Sequence, residues 1–444
     1  MPKNTNRQHR SKTSEVFTQP KTRFMRKNPI PARYFMVAGT FLLALLLYVD
    51  RICISVAKDP VSRELQLSDT QMGWVLSAFA LGYALFQTPA GILNDRFGPR
   101  SILTIVVSFW SLFTALTGAV LTFVSLLVVR LLFGAGEAGA FPGMARAVYS
   151  WIPLAERGIV TGINFSGSRL GAAFALPLVA WMIDALGWRS SFFILGLIGF
   201  AWAFLWYLSF RDDPLEHPLV PEEEKEYIAK SRQEVKDEEK TKLDLGIMFR
   251  SRNMWLAMIQ YFCSNFTFFF ALTWLFPHLK NEYNLEAIEA GFYSSAPLIF
   301  GAIGNWFSGW WVDMIYKNGK WNLSRQLPAI VGFALAAIGL IASVYMHNVV
   351  GAIIFLSMAI FGADMTLPSS WSFCVDIGRN NSGAVSGTMN MAGNIGSFIT
   401  ALAFPYLSAW TGSVTPFFFL GAGLNILAML IWLQMRPDRP LETY

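Results

Sequence analysis

The sequence is poor in charged residues, cysteine and histidine. Asp, Glu, Lys and Arg make up 14% of its 444 residues, whereas soluble domains carry about 25%. Its three cysteines lie in apolar segments without metal-ligand spacing, which argues against a disulfide framework or a zinc site and favours small packed hydrophobes. With four histidines and no visible nucleophile, metal cluster, cofactor motif or signalling domain, the sequence does not support a membrane-embedded enzyme or a receptor.

Long apolar runs are abundant. Hydrophobic residues account for 54% of the chain, including 16 Trp and 38 Phe. A membrane helix needs about 20 mostly apolar residues to cross a hydrocarbon core of about 30 Å. On that scale the sequence predicts an all-α membrane protein with twelve transmembrane helices, at 34–56, 72–93, 102–123, 125–148, 160–184, 190–210, 254–277, 290–313, 327–346, 349–372, 383–408 and 415–435.

A mixed-charge stretch separates the first six predicted helices from the last six. It is expected to be a solvated, partly helical linker with no chemistry of its own. The predicted organisation is a basic tail (1–33), a six-helix bundle (34–210), the linker (211–253), a second six-helix bundle (254–435) and a short tail (436–444). The net charge of +6 comes from tails and short loops on one side, which predicts that both termini are cytoplasmic and does not indicate nucleic-acid binding.

Charged residues inside the predicted helices are the first candidates for function. At bilayer depth each costs at least about 2.5–3.5 kcal/mol, so such residues usually face a cavity and mark a pathway. Arg130 and Glu137 share one face of the fourth helix, about 10 Å apart along its axis and too far for a direct ion pair. Asp50 and Arg51 in the first helix point about 100° apart, and both can reach a bundle interior. These four charges can form a structural cluster, a proton-handling site, or both.

A loop motif recurs at equivalent places in the two halves. The segment from Gly91 to Arg100 follows the second helix and resembles the major facilitator superfamily signature Gly-x-x-x-Asp-Arg-x-Gly-Arg-Arg, with Pro99 replacing one basic residue. After the eighth helix Asp313 is retained, but Met314 stands where the arginine would be. The resemblance implies two pseudo-symmetric six-helix bundles that rock about a midplane cavity. It also implies a gate that holds the outward-open state, formed by Gly91, Asp95, Arg96, Arg100 and Asp313.

Nearly the whole chain, from Tyr34 to Met435, carries a finer resemblance. The matching residues are Tyr48-Val49-Asp50-Arg51, Ser77 to Tyr83, Arg130 with Glu137-Ala138 and Phe141-Pro142, Trp371-Ser372, and Gly387 with Asn390 and Gly393. They resemble the anion:cation symporters, the group of bacterial galactonate, glucarate and hexuronate transporters, sialin and the vesicular glutamate transporters. The resemblance implies that Asp50 and Glu137 handle protons and that Arg51 contacts substrate.

These residue types offer a physical route to coupling. Burial favours the protonated form of a carboxyl group, whereas a nearby arginine favours its ionised form. A substrate carboxylate that draws Arg51 or Arg130 away from Glu137 would therefore favour protonation of Glu137, and anion and proton would move together. Arginine suits the anion because its planar fork binds a carboxylate through two hydrogen bonds. We expect Arg51 to be the main substrate contact and Arg130 to tune Glu137.

The fifth helix departs from the sugar-acid members of the group. They have a substrate-contacting glutamine at the position of Ser168, whereas here the shorter serine is followed by Arg169. Arg169 either enters the cavity as a second cationic contact, pairs with an acid such as Asp364, or extends between helices. Entry into the cavity would favour a dicarboxylate.

Further substrate contacts are expected from the second, tenth and eleventh helices. Tyr83 can donate a hydrogen bond, although membrane tyrosines are also interfacial anchors. Pro368 is expected to break the tenth helix. The hydroxyls of Ser369 and Ser370 and the flat apolar face of Trp371 could then contact a sugar or aryl acid. In the eleventh helix Asn390 and Asn394 share one face; Asn390 matches the group's substrate-contacting asparagine, and Asn394 can equally join helices.

The leading function is proton-coupled symport of an organic anion such as a hexonate, hexuronate or aldarate. The alternative is an exchanger or uniporter of another carboxylate: a dicarboxylate, an aromatic acid or an acidic amino acid. No cofactor is expected, and protons serve as the coupling ion. The expected setting is the cytoplasmic (inner) membrane, with the lipid bilayer and the substrate anion as partners and a monomer as the working unit. Arg157 and Arg379 are by default solvated loop charges, with a role in the same gate as the alternative.

Overall fold

Long helices form the structure. The computed structural model describes residues 30–231, 245–285 and 287–441, and among them twelve helical spans follow one another. Spans 1 to 12 are Arg33–Val56, Asp69–Phe97, Pro99–Thr117, Phe123–Glu137 with Ala140–Trp151, Arg157–Leu186, Trp188–Ser209, Arg252–Thr273 with Leu275–Glu282, Ala287–Lys317, Trp321–Val344, Val349–Gly378, Ser382–Thr411 and Thr415–Trp432. Every bound lies within six residues of its predicted position, so the predicted all-α fold is confirmed. Most of the basic tail and residues 232–244 of the linker lie outside the described residues.

Length and hydropathy alone identify most of these spans as membrane-crossing. Nine segments of the described chain qualify, or ten if the bent pair Leu154–Ala175 and Leu178–Leu186 counts as one span. One of the nine, Val349–Thr411, contains both span 10 and span 11. Span 8 is not among them because glycine, serine and asparagine interrupt its apolar residues. The chain is a multi-pass membrane protein.

Spans 1–6 and spans 7–12 repeat one packing pattern. Span 1 packs against span 5, span 2 against span 4 and span 3 against span 6. The equivalent pairs, 7 with 11, 8 with 10 and 9 with 12, pack in the same way. Between the halves, span 2 contacts span 11 and span 5 contacts span 8. Because span 8 is the equivalent of span 2 and span 11 the equivalent of span 5, these two contacts are equivalent as well. The fold is therefore two pseudo-symmetric six-helix bundles.

Glycines let the two halves approach closely at both crossings. A side chain at Gly91 in span 2 would collide with the backbone of Gly383 in span 11. A side chain at Gly309 in span 8 would likewise collide with the backbone of Gly158 in span 5. Gly91 is part of the predicted gate, and its lack of a side chain allows spans 2 and 11 to pack closely.

The turn between spans 2 and 3 explains why the loop motif has Pro99 where the superfamily signature has a basic residue. Gly98 has a φ of +81°, a conformation that glycine adopts without steric cost. Pro99 then occupies the first position of span 3, where a backbone N–H would have no helical partner. Proline suits this position because its fixed φ already matches the helix.

Span 10 is not broken at Pro368, contrary to the prediction. It continues through the proline to Gly378, six residues beyond the predicted end. Nearby carbonyls find side-chain donors: Ser308 Oγ donates to the Met365 carbonyl at 2.5 Å, and Ser370 Oγ to the Thr366 carbonyl at 2.8 Å. These two bonds hold the turn that precedes the proline, next to the Asp364 carbonyl, which loses its helical N–H partner.

The described part of the linker contains a helix, Glu222–Ser231, that contacts the first half. Glu224 is buried and accepts a hydrogen bond from Arg33 Nη1 at 3.0 Å, while Glu156 accepts from Arg33 Nε at 2.9 Å. Tyr227 donates to Glu156 at 3.1 Å, and burial raises its pKa to about 12, so it remains a donor. The linker is partly helical, as predicted, but this helix is not solvated on the side that carries Glu224. We call the membrane face that carries the linker the linker side.

Candidate functional site

A cavity lies between the two halves. The space between its lining atoms, including its open side, is about 470 Å³. Spans 1, 2, 4, 5, 7, 10 and 11 contribute its lining: Tyr48, Arg51, Tyr83, Phe141, Phe165, Arg169, Tyr261, Ser264, Asn265, Phe268, Asp364, Leu367, Trp371, Asn390 and Asn394. Both halves supply aromatic and charged groups, and the second half adds amides, so the cavity can hold a polar anion against flat apolar surfaces.

Arg51 reaches the cavity and pairs with Glu137. Its Nε lies 2.6 Å from Glu137 Oε2, and Glu137 itself is fully buried behind it. The guanidinium also lies over the ring of Tyr83, 4.3 Å from its centroid, and near the ring of Tyr48 at 5.1 Å. Arg51 Nη2 has no hydrogen-bond partner among the described residues. Arg51 thus joins the cavity surface to a buried acid.

Arg130 and Asp50 lie deeper in the first half and do not line the cavity. Asp50 Oδ2 accepts a hydrogen bond from Trp110 Nε1 at 3.1 Å. The Arg130 guanidinium lies 4.4 Å from the ring centroid of Phe133. Within the described chain, Arg130 Nε and Asp50 Oδ1 have no hydrogen-bond partner. Glu137 therefore pairs with the arginine of span 1 rather than with the one on its own helix.

Arg169 both lines the cavity and pairs with Asp364. Two hydrogen bonds join them, Nε to Oδ2 at 2.8 Å and Nη2 to Oδ1 at 2.6 Å, and both residues are almost fully buried. The ring of Phe268 covers the guanidinium, with its centroid 3.6 Å away. Of the alternatives that the sequence left open for Arg169, entry into the cavity and pairing with Asp364 are therefore both present. Because Arg169 belongs to span 5 and Asp364 to span 10, the pair also joins the two halves.

Tyr83 and the two asparagines meet across the cavity between spans 2 and 11. Asn390 Nδ2 lies 3.4 Å from the Tyr83 hydroxyl, and Asn394 Nδ2 lies 3.5 Å from Gln87 Oε1. Opposite them, Trp371 Nε1 donates to the Tyr261 hydroxyl at 2.9 Å. These neutral groups surround the space into which Arg51 and Arg169 project.

The predicted serines do not line the cavity. Ser168 and Ser369 are fully buried, and their hydroxyls have no hydrogen-bond partner among the described residues. Ser370 contacts Gln260 Oε1 at 3.1 Å, inside the second half. Because span 10 stays helical past Pro368, Trp371 faces the cavity while Ser369 and Ser370 point into helix contacts.

Beneath the cavity, on the linker side, three aromatic rings form a layer. Phe141 stacks on Phe165 with centroids 5.1 Å apart, and Trp371 lies 5.6 Å from Phe141 and 5.2 Å from Phe165. The same three residues also line a second, largely apolar cavity that includes Met144 and Val148. The layer thus separates the central cavity from the space nearer the linker side.

Two aspartates join the halves on the linker side. Asp95, at the end of span 2, accepts hydrogen bonds from the backbone N–H groups of Gly383 and Ala384 at 2.9 and 2.7 Å. Asp313, at the end of span 8, accepts them from Gly158 and Ile159, both at 2.8 Å. Each carboxylate therefore caps the first turn of a span in the opposite half, where the helix dipole favours negative charge.

The neighbouring arginines of the motif do not cross between the halves. Arg96 is exposed and lies over the ring of Phe97, and Arg100 donates to the Tyr207 carbonyl at 3.0 Å within the first half. Arg157 is not the solvated loop charge expected by default but is fully buried, and its Nη1 lies 2.7 Å from Asp376 in span 10. Arg379 is half-buried.

Several cavity residues were not among the predicted contacts. Asp364 was considered as a partner for Arg169 but not as part of the site, although an acid within an apolar run is itself a signal. Tyr48 belongs to the family motif and lies two residues before Asp50, but the motif alone predicts no role for it. Tyr261, Phe165 and Phe268 lie in aromatic-rich helices, where nothing in a single sequence separates cavity-facing rings from packed ones.

Comparison with known proteins agrees with this architecture. The family model described as Major Facilitator Superfamily matches residues 40–401. The proton:xylose symporter XylE, solved with 6-bromo-6-deoxy-D-glucose, superposes with a TM-score of 0.74 at 13% identity, covering 91% of this chain and 96% of that one. At that identity the superposition shows the shared fold.

Curated relatives are more similar in sequence. The chain is 33% identical over 405 residues to the probable sulfoacetate transporter SauU of Cupriavidus necator, covering 91% of this chain and 94% of the relative. It is 32% identical over 401 residues to the probable galactarate/D-glucarate transporter GarP of Escherichia coli, covering 86% and 89%. The similarity therefore extends through both halves.

Proposed function

The chain belongs to the major facilitator superfamily, and we propose that it is a proton-coupled symporter of a small organic anion, with a sugar acid such as a hexonate, hexuronate or aldarate as substrate. As a member of this family it is a membrane transporter and not an enzyme. Relatives named for galactarate/D-glucarate and hexuronate transport support a sugar-acid cargo.

The pairing of Arg51 with Glu137 carries the proposal. The Arg51 side chain lines the cavity and is partly exposed there, while its Nε neutralises the fully buried Glu137 at 2.6 Å. A substrate carboxylate that binds the guanidinium fork competes with Glu137 for the same positive charge. Glu137 is then left in a low-dielectric setting and binds a proton. Asp50 lies within electrostatic range of Glu137 and Arg130 and provides a second acid through which the proton can pass.

The neutral cavity groups suit a hydroxylated chain. Asn265, Asn390 and Asn394 offer both hydrogen-bond donors and acceptors, and the tyrosine hydroxyls add donors. The indole of Trp371 gives a flat apolar face against which the C–H side of a sugar acid can pack. Ser168, Ser369 and Ser370 would take part in binding only after a rearrangement of spans 5 and 10.

Alternating access follows from the closed linker side. The aromatic layer and the two aspartate caps separate the cavity from that side, and opening it requires Asp95 and Asp313 to release the opposite half. We infer that the linker side is cytoplasmic, since Lys and Arg of the short loops concentrate there. The structure then corresponds to a state closed towards the cytoplasm, in a chain whose termini are both cytoplasmic in the inner membrane.

An exchanger or uniporter of a different anion is the second candidate. The relative named for sulfoacetate transport supports it, because sulfoacetate is smaller than a sugar acid and carries a sulfonate. The same arginines would bind such an anion.

Uptake into proteoliposomes under an imposed pH gradient tests the proposal. We expect accumulation of one or more members of a panel of hexonates, hexuronates, aldarates and sulfoacetate, and loss of accumulation when a protonophore collapses the gradient. Glu137→Gln should abolish accumulation, whereas Glu64→Gln, outside the cavity, should not. Uptake that is equally fast with and without the gradient would rule out symport and leave the uniporter or exchanger.

A further inference from the structure

Two arginine–carboxylate pairs meet at the central cavity. Arg51 with Glu137 belongs to the first half, whereas Arg169 with Asp364 joins the two halves. Among the described lining residues Arg51 and Arg169 are the two cations, and Asp364 is the one acid. The two guanidinium groups share a neighbour, since Tyr48 lies 5.1 Å below Arg51 and in electrostatic contact with Arg169. A single small molecule in this cavity can therefore contact both.

The surroundings of Asp364 leave its charge dependent on Arg169. From span 8, Gly301 faces the carboxylate and leaves room for it, because a side chain there would collide with Oδ2. Span 7 presents Phe268, whose ring covers the guanidinium, and span 4 presents Phe141. The remaining titratable or charged groups facing the cavity are Arg51, Tyr48, Tyr83 and Tyr261, and span 11 adds the amides of Asn390 and Asn394.

Resting on the symport proposed above, we propose that Asp364 is a second proton-accepting carboxyl and that the preferred substrate is a small organic dianion. One anionic group binds Arg51 and releases Glu137; the other binds Arg169 and releases Asp364. Each released carboxylate takes one proton from the solution on the open side. The charges then balance, because the two negative charges of the substrate are matched by the two protons that Glu137 and Asp364 take up. The loaded cavity therefore has the same net charge as the empty one.

This arrangement gives the second anionic group a conformational effect. The Arg169–Asp364 pair holds span 5 to span 10 through two hydrogen bonds. A dianion that replaces Asp364 at Arg169 removes these bonds between the halves. A monoanion bound at Arg51 leaves them in place. Arg169 and Asp364 therefore distinguish dianions from monoanions.

The test compares proton movement with galactarate and sulfoacetate, both dianions, and with galactonate, a monoanion of the same chain length as galactarate. In proteoliposomes of the full-length protein, proton uptake is measured beside labelled substrate. We expect about two protons per dianion and uptake that is insensitive to membrane potential. With Asp364→Asn we expect about one proton per dianion and a new dependence on potential, while Asp364→Glu retains the original behaviour. The dianion with the higher rate identifies whether a carboxylate or a sulfonate occupies the second position.

A double variant covers the case in which Asp364→Asn fails to fold. Arg169→Gln with Asp364→Asn removes both charges, and should lower the ratio of dianion to galactonate transport by at least about tenfold. About one proton per galactarate in the unaltered protein, unchanged by Asp364→Asn, would overturn the inference alone. So would a double variant with unchanged selectivity. No proton movement with any of the three anions would instead overturn the proposed symport, and this inference with it.

Discussion

Asp95 and Asp313 make the same contact in opposite halves of the molecule. Each ends a span on the linker side and accepts two backbone hydrogen bonds, of 2.7 to 2.9 Å, from the first turn of a span in the other half. The repeat that relates spans 1–6 to spans 7–12 relates these contacts too. The two carboxylates therefore close the linker side symmetrically.

Neutralising either aspartate should open the linker side. Hydrogen bonds to a charged group are worth about 1.5–3 kcal/mol, so Asp95→Asn or Asp313→Asn should shift the population towards the linker-side-open state by roughly tenfold or more. The measurement is the labelling rate of a cysteine introduced at Val375, which lines the second cavity, in a variant lacking the three native cysteines. Asp184→Asn, an exposed acid within span 5, is the control. Equal labelling in all variants would contradict the closure.

Adding a methyl group at the helix crossings should have a similar effect. Gly91→Ala or Gly309→Ala places Cβ against the backbone of Gly383 or Gly158. Close packing leaves no room for it, so both variants should slow transport and raise the labelling rate at position 375. Gly423→Ala is the control, because a Cβ there has no atom within 4 Å. Normal transport by Gly91→Ala would show that the crossing can relax.

Asp376 should matter more for stability than Arg157. Asp376 accepts from Arg157 at 2.7 Å, from Arg325 at 2.9 Å and from Trp321 at 3.1 Å. Asp376→Asn removes the carboxylate that both buried arginines contact and should lower the free energy of unfolding by about 3–5 kcal/mol. Arg157→Met should cost less, since Arg325 still contacts Asp376. Thermal unfolding in detergent measures both effects. Glu222→Gln, in an exposed pair with Lys225, should change little; equal shifts in all three variants would contradict the assignment.

The hydrogen bond between Trp371 and Tyr261 should contribute to substrate affinity by fixing the indole. Either Trp371→Phe or Tyr261→Phe removes it and should weaken substrate binding by about 1 kcal/mol, roughly fivefold. Because both substitutions remove one bond, the double variant should lose less than the sum of the two single losses. Substrate titration of purified protein by calorimetry gives the three values. Strict additivity would mean that the two residues act separately.

The sequence was sufficient for features set by local chemistry and insufficient for those set by distant partners. Hydropathy placed every span to within six residues, and the repeated loop motif pointed to Asp95 and Asp313. Arg157 follows a loop in the sequence, and nothing local shows that Asp376 of the other half lies beside it. Pro368 normally breaks a helix, but span 10 is held just before the proline by a hydrogen bond from Ser308 of span 8 to the Met365 carbonyl, a contact that the local sequence does not show.

The charged site shows the same limit. Arg130 and Glu137 share a helix face, yet Glu137 pairs with Arg51, because packing of spans in the first half decides which arginine is nearer. The proposed roles of Asp50, Arg130 and Glu137 remain predictions.

The most direct test of proton coupling compares accumulation with exchange in Glu137→Gln. We expect that this variant no longer accumulates substrate in response to a pH gradient but still exchanges labelled for unlabelled substrate across proteoliposome membranes, because binding through Arg51 survives without the proton-accepting group. Accumulation of substrate against its gradient by Glu137→Gln, at the rate of the unaltered protein, would contradict proton coupling through Glu137.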